Sequence, residues 1–303
     1  MAVKKRWGYF CALIAIFLWS WNVVISRYLS DAVPPIQISF FRWLIAGAFI
    51  VPFTIHEIYL CRHILLKNIK IILIISLGLA FMNNFIYLAG KSISAVDMSL
   101  LGTSGPIFFI FLSSFIFKNH LSVRQLSGFI IALLGVIWVI SDGNINYLIN
   151  FDFKAGDFWM LAYALFFSIY GLAQRKRPME ISQLGFLSVA IIIGLVMILP
   201  FFIASLPKFP LSNIDKTGWA IFAFLGIVNS VIGYLAWNLA LDKLGNFEAN
   251  LFYYTMPLFS CLEAYLFLGE QLYPAQVWGA GIVIFGIYFA ATHNHNPPRI
   301  VRP

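Results

Sequence analysis

Apolar runs of bilayer-spanning length leave this chain essentially one kind of fold. A run of about 17 to 25 residues crosses the hydrocarbon core as a helix, because a helix satisfies its own backbone where no water can. Ten such runs are read along the sequence, at 8–29, 35–55, 69–90, 94–117, 123–141, 157–174, 181–205, 217–241, 247–268 and 274–292. Composition agrees: 61% of the 303 residues are hydrophobic and 11% are charged, where a soluble domain carries about a quarter charged residues. A soluble fold of this size has no interior large enough for that apolar surface. An ordinary cytosolic enzyme, a disordered chain and a nucleic-acid binder are all excluded on this ground. The expectation is an all-α membrane protein with ten transmembrane helices. The first run follows Lys4, Lys5 and Arg6, as a signal peptide would. It is too long for one and lacks a small-x-small cleavage site, so it is read as a retained helix.

The net charge of +8 belongs to loops rather than to a phosphate-binding face. With the N-terminus placed in the cytoplasm, fourteen basic residues fall inside: Lys4, Lys5, Arg6, Arg62, Lys67, Lys70, Lys118, Arg124, Arg175, Lys176, Arg177, Lys243, Arg299 and Arg302. Five fall outside, namely Arg27, Lys91, Lys154, Lys208 and Lys216, and Arg42 lies within a span. That bias places both termini in the cytoplasm of a multi-pass inner-membrane protein. Cys11, Cys61 and Cys261 are too far apart for a CxxC pair and read as small buried residues.

The two halves of the sequence repeat. Ser94–Ile140 lies on Gly245–Ala291 at an offset of 151 without a gap, matching Asp97 to Glu248, Pro106 to Pro257, Gln125 to Gln276, Gly128 to Gly279 and Gly135 to Gly286. Upstream, an offset of 148 lays Trp19-Ser20 on Phe167-Ser168 and Arg27 on Arg175. The expected organisation is a five-helix half at 1–141, an extracytoplasmic linker at 142–156, a second half at 157–292 and a cytoplasmic tail at 293–303. An odd number of spans per half turns the second upside down. Two inverted five-helix repeats suit a secondary carrier with its site near the midplane. A duplicated protein with no transport role is the bland alternative.

Helix 1 carries FLWSWNVVISR (17–27), helix 2 FFRWLIAG (40–47), and helices 9 and 10 YTMPLFSCLEAYLFLGEQLYPAQVWGAGIVIFG (254–286). These resemble, in turn, the Trp-Gly-x-Asn opening (with Ser20 for Gly), the Arg-Phe-x-x-Ala pattern and the Pro…Gly-Glu…Gln-x-x-Gly ending of EamA-type domains. Over nearly its whole length the chain resembles the ten-helix EamA branch of the drug/metabolite transporter superfamily. Asn119-His120 stands where the first half would have Gly-Glu, a departure from the pattern, and Glu270 keeps the second-half copy.

Polar residues within spans are the informative ones, since lipid penalises them. Trp19, Asn22 and Ser26 share a face of helix 1. Asn83 and Tyr87 share one on helix 3, beside Asn84. Tyr234 and Asn238 share one on helix 8, beside Trp237. The repeat lays Asn22 on Tyr170, Asn83 on Tyr234 and Tyr87 on Asn238. Together with Arg42, Tyr253 and Tyr254 these are the expected lining of a substrate cavity, against the alternative of helix–helix hydrogen bonding. Pro106 and Pro257 are expected to kink helices 4 and 9 as paired hinges. Asp97 and Glu248 are expected to open those helices as caps. Arg42 and Glu263 lie at similar depth with opposite charge and are expected to pair as a gating or coupling element. The stripes Gly128, Ala132, Gly135 and Gly279, Val283, Gly286 invite close helix contact, within each half or between two copies.

No nucleophile constellation, metal spacing or ATP motif is present, so neither catalysis nor a cofactor is expected. The reading is a secondary carrier for a small organic metabolite by alternating access. From the resemblance comes an amino acid or related compound, exported across the inner membrane. Uptake of an environmental metabolite and a non-transporting scaffold or receptor are the alternatives. Expected partners are the substrate and the bilayer, with protons and a second copy of the chain as candidates and no nucleic acid.

Overall fold

The computed structural model describes residues 2–105, 108, 111, 112, 115, 116, 123–144, 146, 153–174, 176–253 and 255–291. Its helices are α1 (Ala2–Tyr28), α2 (Pro35–Leu60), α3 (Arg62–Lys67), α4 (Ile69–Ala89), α5 (Ala95–Gly102), α6 (Val123–Ile140), α7 (Ala155–Gln174) and α8 (Gln183–Ser205). A 3-10 turn (Leu211–Asn213) then precedes α9 (Lys216–Ala223), a π-helical segment (Phe224–Ile232), α10 (Gly233–Tyr253), α11 (Met256–Leu268) and α12 (Pro274–Ala291). Among the described residues six helical stretches are long and apolar enough to span a membrane: Lys5–Tyr28, Pro35–Leu60, Ile69–Ala89, Ala155–Gln174, Gln183–Ser205 and Lys216–Leu244. Leu126–Val139, Met256–Leu268 and Pro274–Gly286 are shorter apolar helices. In the run at 94–117, α5 is described and most of residues 106–117 are not, and the tail beyond Ala291 also lies outside the described residues.

Local chemistry sets the helix starts. Ser94 caps α5 by accepting from the Asp97 amide at 3.0 Å and donating to the Asp97 carboxylate at 2.7 Å. Ser182 and Asp215 cap α8 and α9 by accepting from Gly185 and Gly218 amides. Each satisfies one of the amides that the first helical turn leaves bare. α2 starts on Pro35, where a missing amide hydrogen costs nothing.

Three boundaries differ from the sequence expectation. α2 runs to Leu60 rather than 55, because His56 and Glu57 are polar but helix-compatible, and Glu57 accepts from the backbone and hydroxyl of Ser182. α10 continues through 242–246 to Tyr253, so Glu248 sits inside a helix and opens none. Lys243 and Leu244 propagate a helix well, and neither Asp242 nor one glycine, Gly245, stops it. Pro257 makes no kink in a continuous helix: Thr255 lies in a turn and Pro257 occupies the first turn of α11, where proline is tolerated. Pro106 lies outside the described residues, but α5 gives way to a turn at Thr103-Ser104, and Ser104 lies 151 residues before Thr255.

The offset of 148 recurs elsewhere. α2 and α8 begin 148 apart, and their internal prolines, Pro52 and Pro200, are also 148 apart. In the packing, α1 lies on α10 and α11, α4 on α7, α2 on α8, and α6 on α12. The two glycine stripes face each other across the halves, not within each half as expected, because α6 packs on α12. A Cβ on Gly135 would sit 2.7 Å from the Val283 amide nitrogen, and one on Gly286 would sit 2.5 Å from that of Ala132.

Helix ends are tied across the halves. Gly269, at φ 68°, turns the chain out of α11 in the left-handed region glycine favours. Glu270 then accepts from the Ala95 amide at 2.9 Å, capping α5, and lies 3.6 Å from Arg27. Arg27 also donates to the Gly90 carbonyl at 2.7 Å. Gln276 donates to Asp97 at 2.7 Å. The Gly-Glu…Gln pattern is thus a fastening of one half to the start of α5.

Candidate functional site

Arg42 sits about two turns into α2 and is 2% exposed. Gly226 lets the π segment close on it: a Cβ there would lie 2.9 Å from the Arg42 carbonyl oxygen. The wider i→i+5 turn of that segment brings consecutive residues, Asn229 and Ser230, to the guanidinium. Arg42 Nε donates to Ser230 Oγ at 2.7 Å and Nη2 to Asn229 Oδ1 at 2.7 Å. Nη1 faces Asn22 Oδ1 at 2.7 Å, Asn83 Oδ1 at 3.0 Å and the Tyr87 hydroxyl at 3.1 Å. Tyr87 donates to Asn22 Oδ1 at 3.0 Å. Asn229 also donates to the Leu18 carbonyl, tying the π segment to α1. Four elements, α1, α2, α4 and the π segment, thus meet on one buried cation.

A cavity opens beside this cluster, walled by Trp19, Asn22, Arg42, Met82, Asn83, Tyr163, Phe167, Asn229, Tyr234, Tyr253 and Met256. Its volume is about 20 Å³, room for about one water molecule. The aromatic side is continuous: Trp19 lies 5.2 Å from Tyr234 and 5.4 Å from Trp237, and Phe167 stacks on Tyr253 at 5.5 Å. Such a wall with few polar anchors is the composition of small-molecule sites. Met256 begins α11, so the helix break lies at the cavity edge.

Of the expected lining, Trp19, Asn22, Arg42, Asn83, Tyr234 and Tyr253 are at the wall. Tyr87 stands behind it, holding Asn22 and Arg42. Tyr170 and Trp237 form a second aromatic layer, Tyr170 at 6.5 Å from Tyr234. Asn84 turns away and donates to the Ala80 carbonyl in its own helix at 3.1 Å. Asn238 is half-buried and off the wall. Tyr254 lies outside the described residues. The swapped Asn and Tyr residues do not give a symmetric site: Asn22, Asn83 and Tyr87 gather on the cation, and Tyr170 and Tyr234 join the rings.

Arg42 and Glu263 do not pair. Neutral oxygens of α1, α4 and the π segment occupy the guanidinium, and Glu263, 4% exposed on α11, accepts from Ser20 at 2.8 Å. Similar depth brought the two to one level of the bundle but not to one side of α1. The Ser20 hydroxyl is also 2.7 Å from the Phe17 carbonyl, and Glu263 Oε2 meets no partner among the described residues. Among the described residues no group of three His, Cys, Asp or Glu is placed to hold a metal.

Asn229, Ser230, Tyr163 and Phe167 were not anticipated. Asn229-Ser230 stands in the otherwise apolar FLGIVNSVI, so polarity within a span was the available signal. Tyr163 and Phe167 carried none, since aromatic residues fill this sequence.

The model of the EamA-like transporter family matches residues 6–141 and again 154–292. The chain is 24% identical to an uncharacterised transporter, YyaM, of Bacillus subtilis (strain 168), over 88% of each chain. It is 26% identical to a "Probable amino-acid metabolite efflux pump" of Escherichia coli (strain K12), over 91% of this chain and 92% of that one. A solved crystal structure superposes over 96% of each chain with a TM-score of 0.58 and 18% identity, a likeness of fold alone.

Proposed function

From the premise that this chain belongs to the EamA-like transporter family of the drug/metabolite transporter superfamily, we propose that it is a secondary carrier that exports an amino acid or related metabolite by alternating access. The observation that carries this is the central cavity, where a polar cluster meets an aromatic wall beside a helix break. Interrupted helices at the midplane are where carriers of inverted repeats bind their cargo. The repeated family match, the shared offset of the α2 and α8 starts and their prolines, and the turns at Ser104 and Thr255, 151 residues apart, all support two inverted five-helix halves divided by the 142–156 linker.

At about 20 Å³ the cavity is too small for an amino acid. It therefore has to widen in the cycle, and the breaks before Gly105 and Met256 are the joints available for that. Export of amino-acid compounds is taken from the name of the Escherichia coli relative. The basic-residue bias supports an inner-membrane location with both termini inside. Glu263, buried on a Ser20 contact, is the candidate for proton coupling.

Counterflow in proteoliposomes tests the reading. Vesicles preloaded with a mixture of unlabelled amino acids are expected to accumulate at least one labelled amino acid above protein-free vesicles. Absence of accumulation across the mixture would count for the scaffold alternative. Repeating the assay with a pH gradient, on wild type and Glu263→Gln, decides the coupling: unchanged gradient dependence in the variant removes Glu263 from it.

A further inference from the structure

The wall of this cavity carries unmet hydrogen-bond donors. A guanidinium has five N–H donors and no acceptor. Nε uses one on Ser230, Nη1 has Asn22, Asn83 and Tyr87 for its two, and Nη2 has Asn229 alone. One Nη2 hydrogen therefore has no acceptor among the described residues. Asn83 Oδ1 is fixed toward Arg42 and toward Asn22 Nδ2, at 3.4 Å, which turns its own Nδ2 the other way, buried and without a partner among the described residues. Trp19 Nε1, also without a partner among the described residues, packs against Gly233, where a Cβ would lie 2.8 Å from it, and is not one of these cavity donors. Arg42 and Asn83 both line the one cavity and are at most 3% exposed.

Carboxylates are missing from the described part of the same wall. The amide oxygens of Asn22, Asn83 and Asn229 are all directed at the guanidinium, and the acceptors that remain are the hydroxyls of Tyr163, Tyr234 and Tyr253. Arg42 forms no ion pair with any described carboxylate. A cation held in the membrane by neutral dipoles and one ring face, that of Trp43 at 5.1 Å, is costly, and unmet buried donors add to that cost. A ligand that supplies negative charge and several lone pairs corrects both at once.

We propose that Arg42 and Asn83 form a carboxylate subsite, and that the substrate class is monocarboxylates with an apolar or aromatic remainder. One guanidinium matches one negative charge and presents a planar fork to the two oxygens. The remainder lies against the wall of Tyr163, Phe167 and Tyr234. An α-ammonium group would meet ring faces and tyrosine hydroxyls there but no described carboxylate, so the carboxylate contributes more to binding than the amino group. This rests on the carrier reading and narrows it.

The test uses the full chain in nanodiscs, read by its tryptophan fluorescence, with L-phenylalanine, 3-phenylpropionate, L-phenylalaninamide and phenethylamine as probes. A parallel set is L-leucine, 4-methylpentanoate and L-leucinamide. Both carboxylates of a set are expected to bind within about tenfold of each other, and the amide or amine at least about tenfold more weakly. This discrimination needs no variant that has to fold. In Arg42→Lys the charge stays and the fork is lost, so carboxylates weaken but keep their preference; in Arg42→Gln the preference disappears. Amides or amines binding as tightly as the carboxylates would overturn the subsite and leave the carrier reading intact. So would failure of every carboxylate to bind at millimolar concentration while counterflow of other compounds proceeds. A preference retained in a folded Arg42→Gln would remove Arg42 from the subsite.

Discussion

Arg42→Gln is expected to lower counterflow flux at least about 100-fold, the largest functional loss of any single substitution in this chain. A hydrogen bond to a charged group contributes about 1.5–3 kcal/mol. Losing two to a substrate anion removes about 3–6 kcal/mol, and each 1.4 kcal/mol is tenfold. Stability changes less, because two effects oppose. Removing a buried charge lifts its desolvation cost. It also strips donors from Asn22, Asn83, Tyr87, Asn229 and Ser230, at about 1–3 kcal/mol for each oxygen left unpaired. The glutamine amide re-pairs part of that set, and Tyr87 already donates to Asn22. Flux per folded protein, with size-exclusion profiles of both proteins, separates the two. Near-wild-type flux would make Arg42 a structural tie between α1, α2, α4 and the π segment and nothing more.

Gly286→Ala is expected to have the largest effect on stability, and with the sign opposite to helix propensity. In a helix interior alanine is favoured over glycine by about 1 kcal/mol. At Gly286 the new Cβ would lie 2.5 Å from the Ala132 amide nitrogen and 2.7 Å from the Gly128 carbonyl oxygen. Both are backbone atoms of α6, so no side chain can swing aside. The helices have to separate, losing the close packing that holds α6 to α12. Overpacking of this kind costs about 1–3 kcal/mol. Gly281, on the same helix, has nothing within 4 Å of a Cβ, so Gly281→Ala should be neutral or stabilising. Thermal unfolding of the two variants side by side reads the contrast. Equal melting temperatures would mean that the stripe does not set the spacing.

Much of this molecule could be read from its letters, and the limits are physical. The apolar runs reported helices because lipid tolerates little else, and their ends were missed where polar but helix-forming residues continue a helix, as at His56-Glu57 and Asp242-Lys243. Pro257 was visible as a disruption. Whether a proline kinks a helix or begins a new one depends on the residues before it, and the sequence does not show that. Trp19, Asn22, Asn83 and Tyr234 were found at the cavity because polar or amphipathic side chains in a span need a reason. The same rule, taken along all of helix 8, points to Asn229 and Ser230. Helical spacing fixed depth along each axis but not rotation about it, so Asn238 and Asn84 left the wall and Glu263 went to Ser20. The glycine stripes were legible as contact surfaces, but their facing each other depended on how the halves pack.

Alternating access requires the central cavity to open to each side of the membrane in turn, and single-cysteine labelling tests that most directly. With Cys11, Cys61 and Cys261 replaced by serine, Met256→Cys places a thiol on the cavity wall beside the helix break. Membrane-impermeant maleimide is expected to reach it from either side in oriented vesicles, more slowly than an exposed thiol. Asn146→Cys in the 142–156 linker is expected to react from the extracytoplasmic side alone. Reaction at Met256→Cys from one side only, or from neither while Asn146→Cys labels, would contradict alternating access through this cavity.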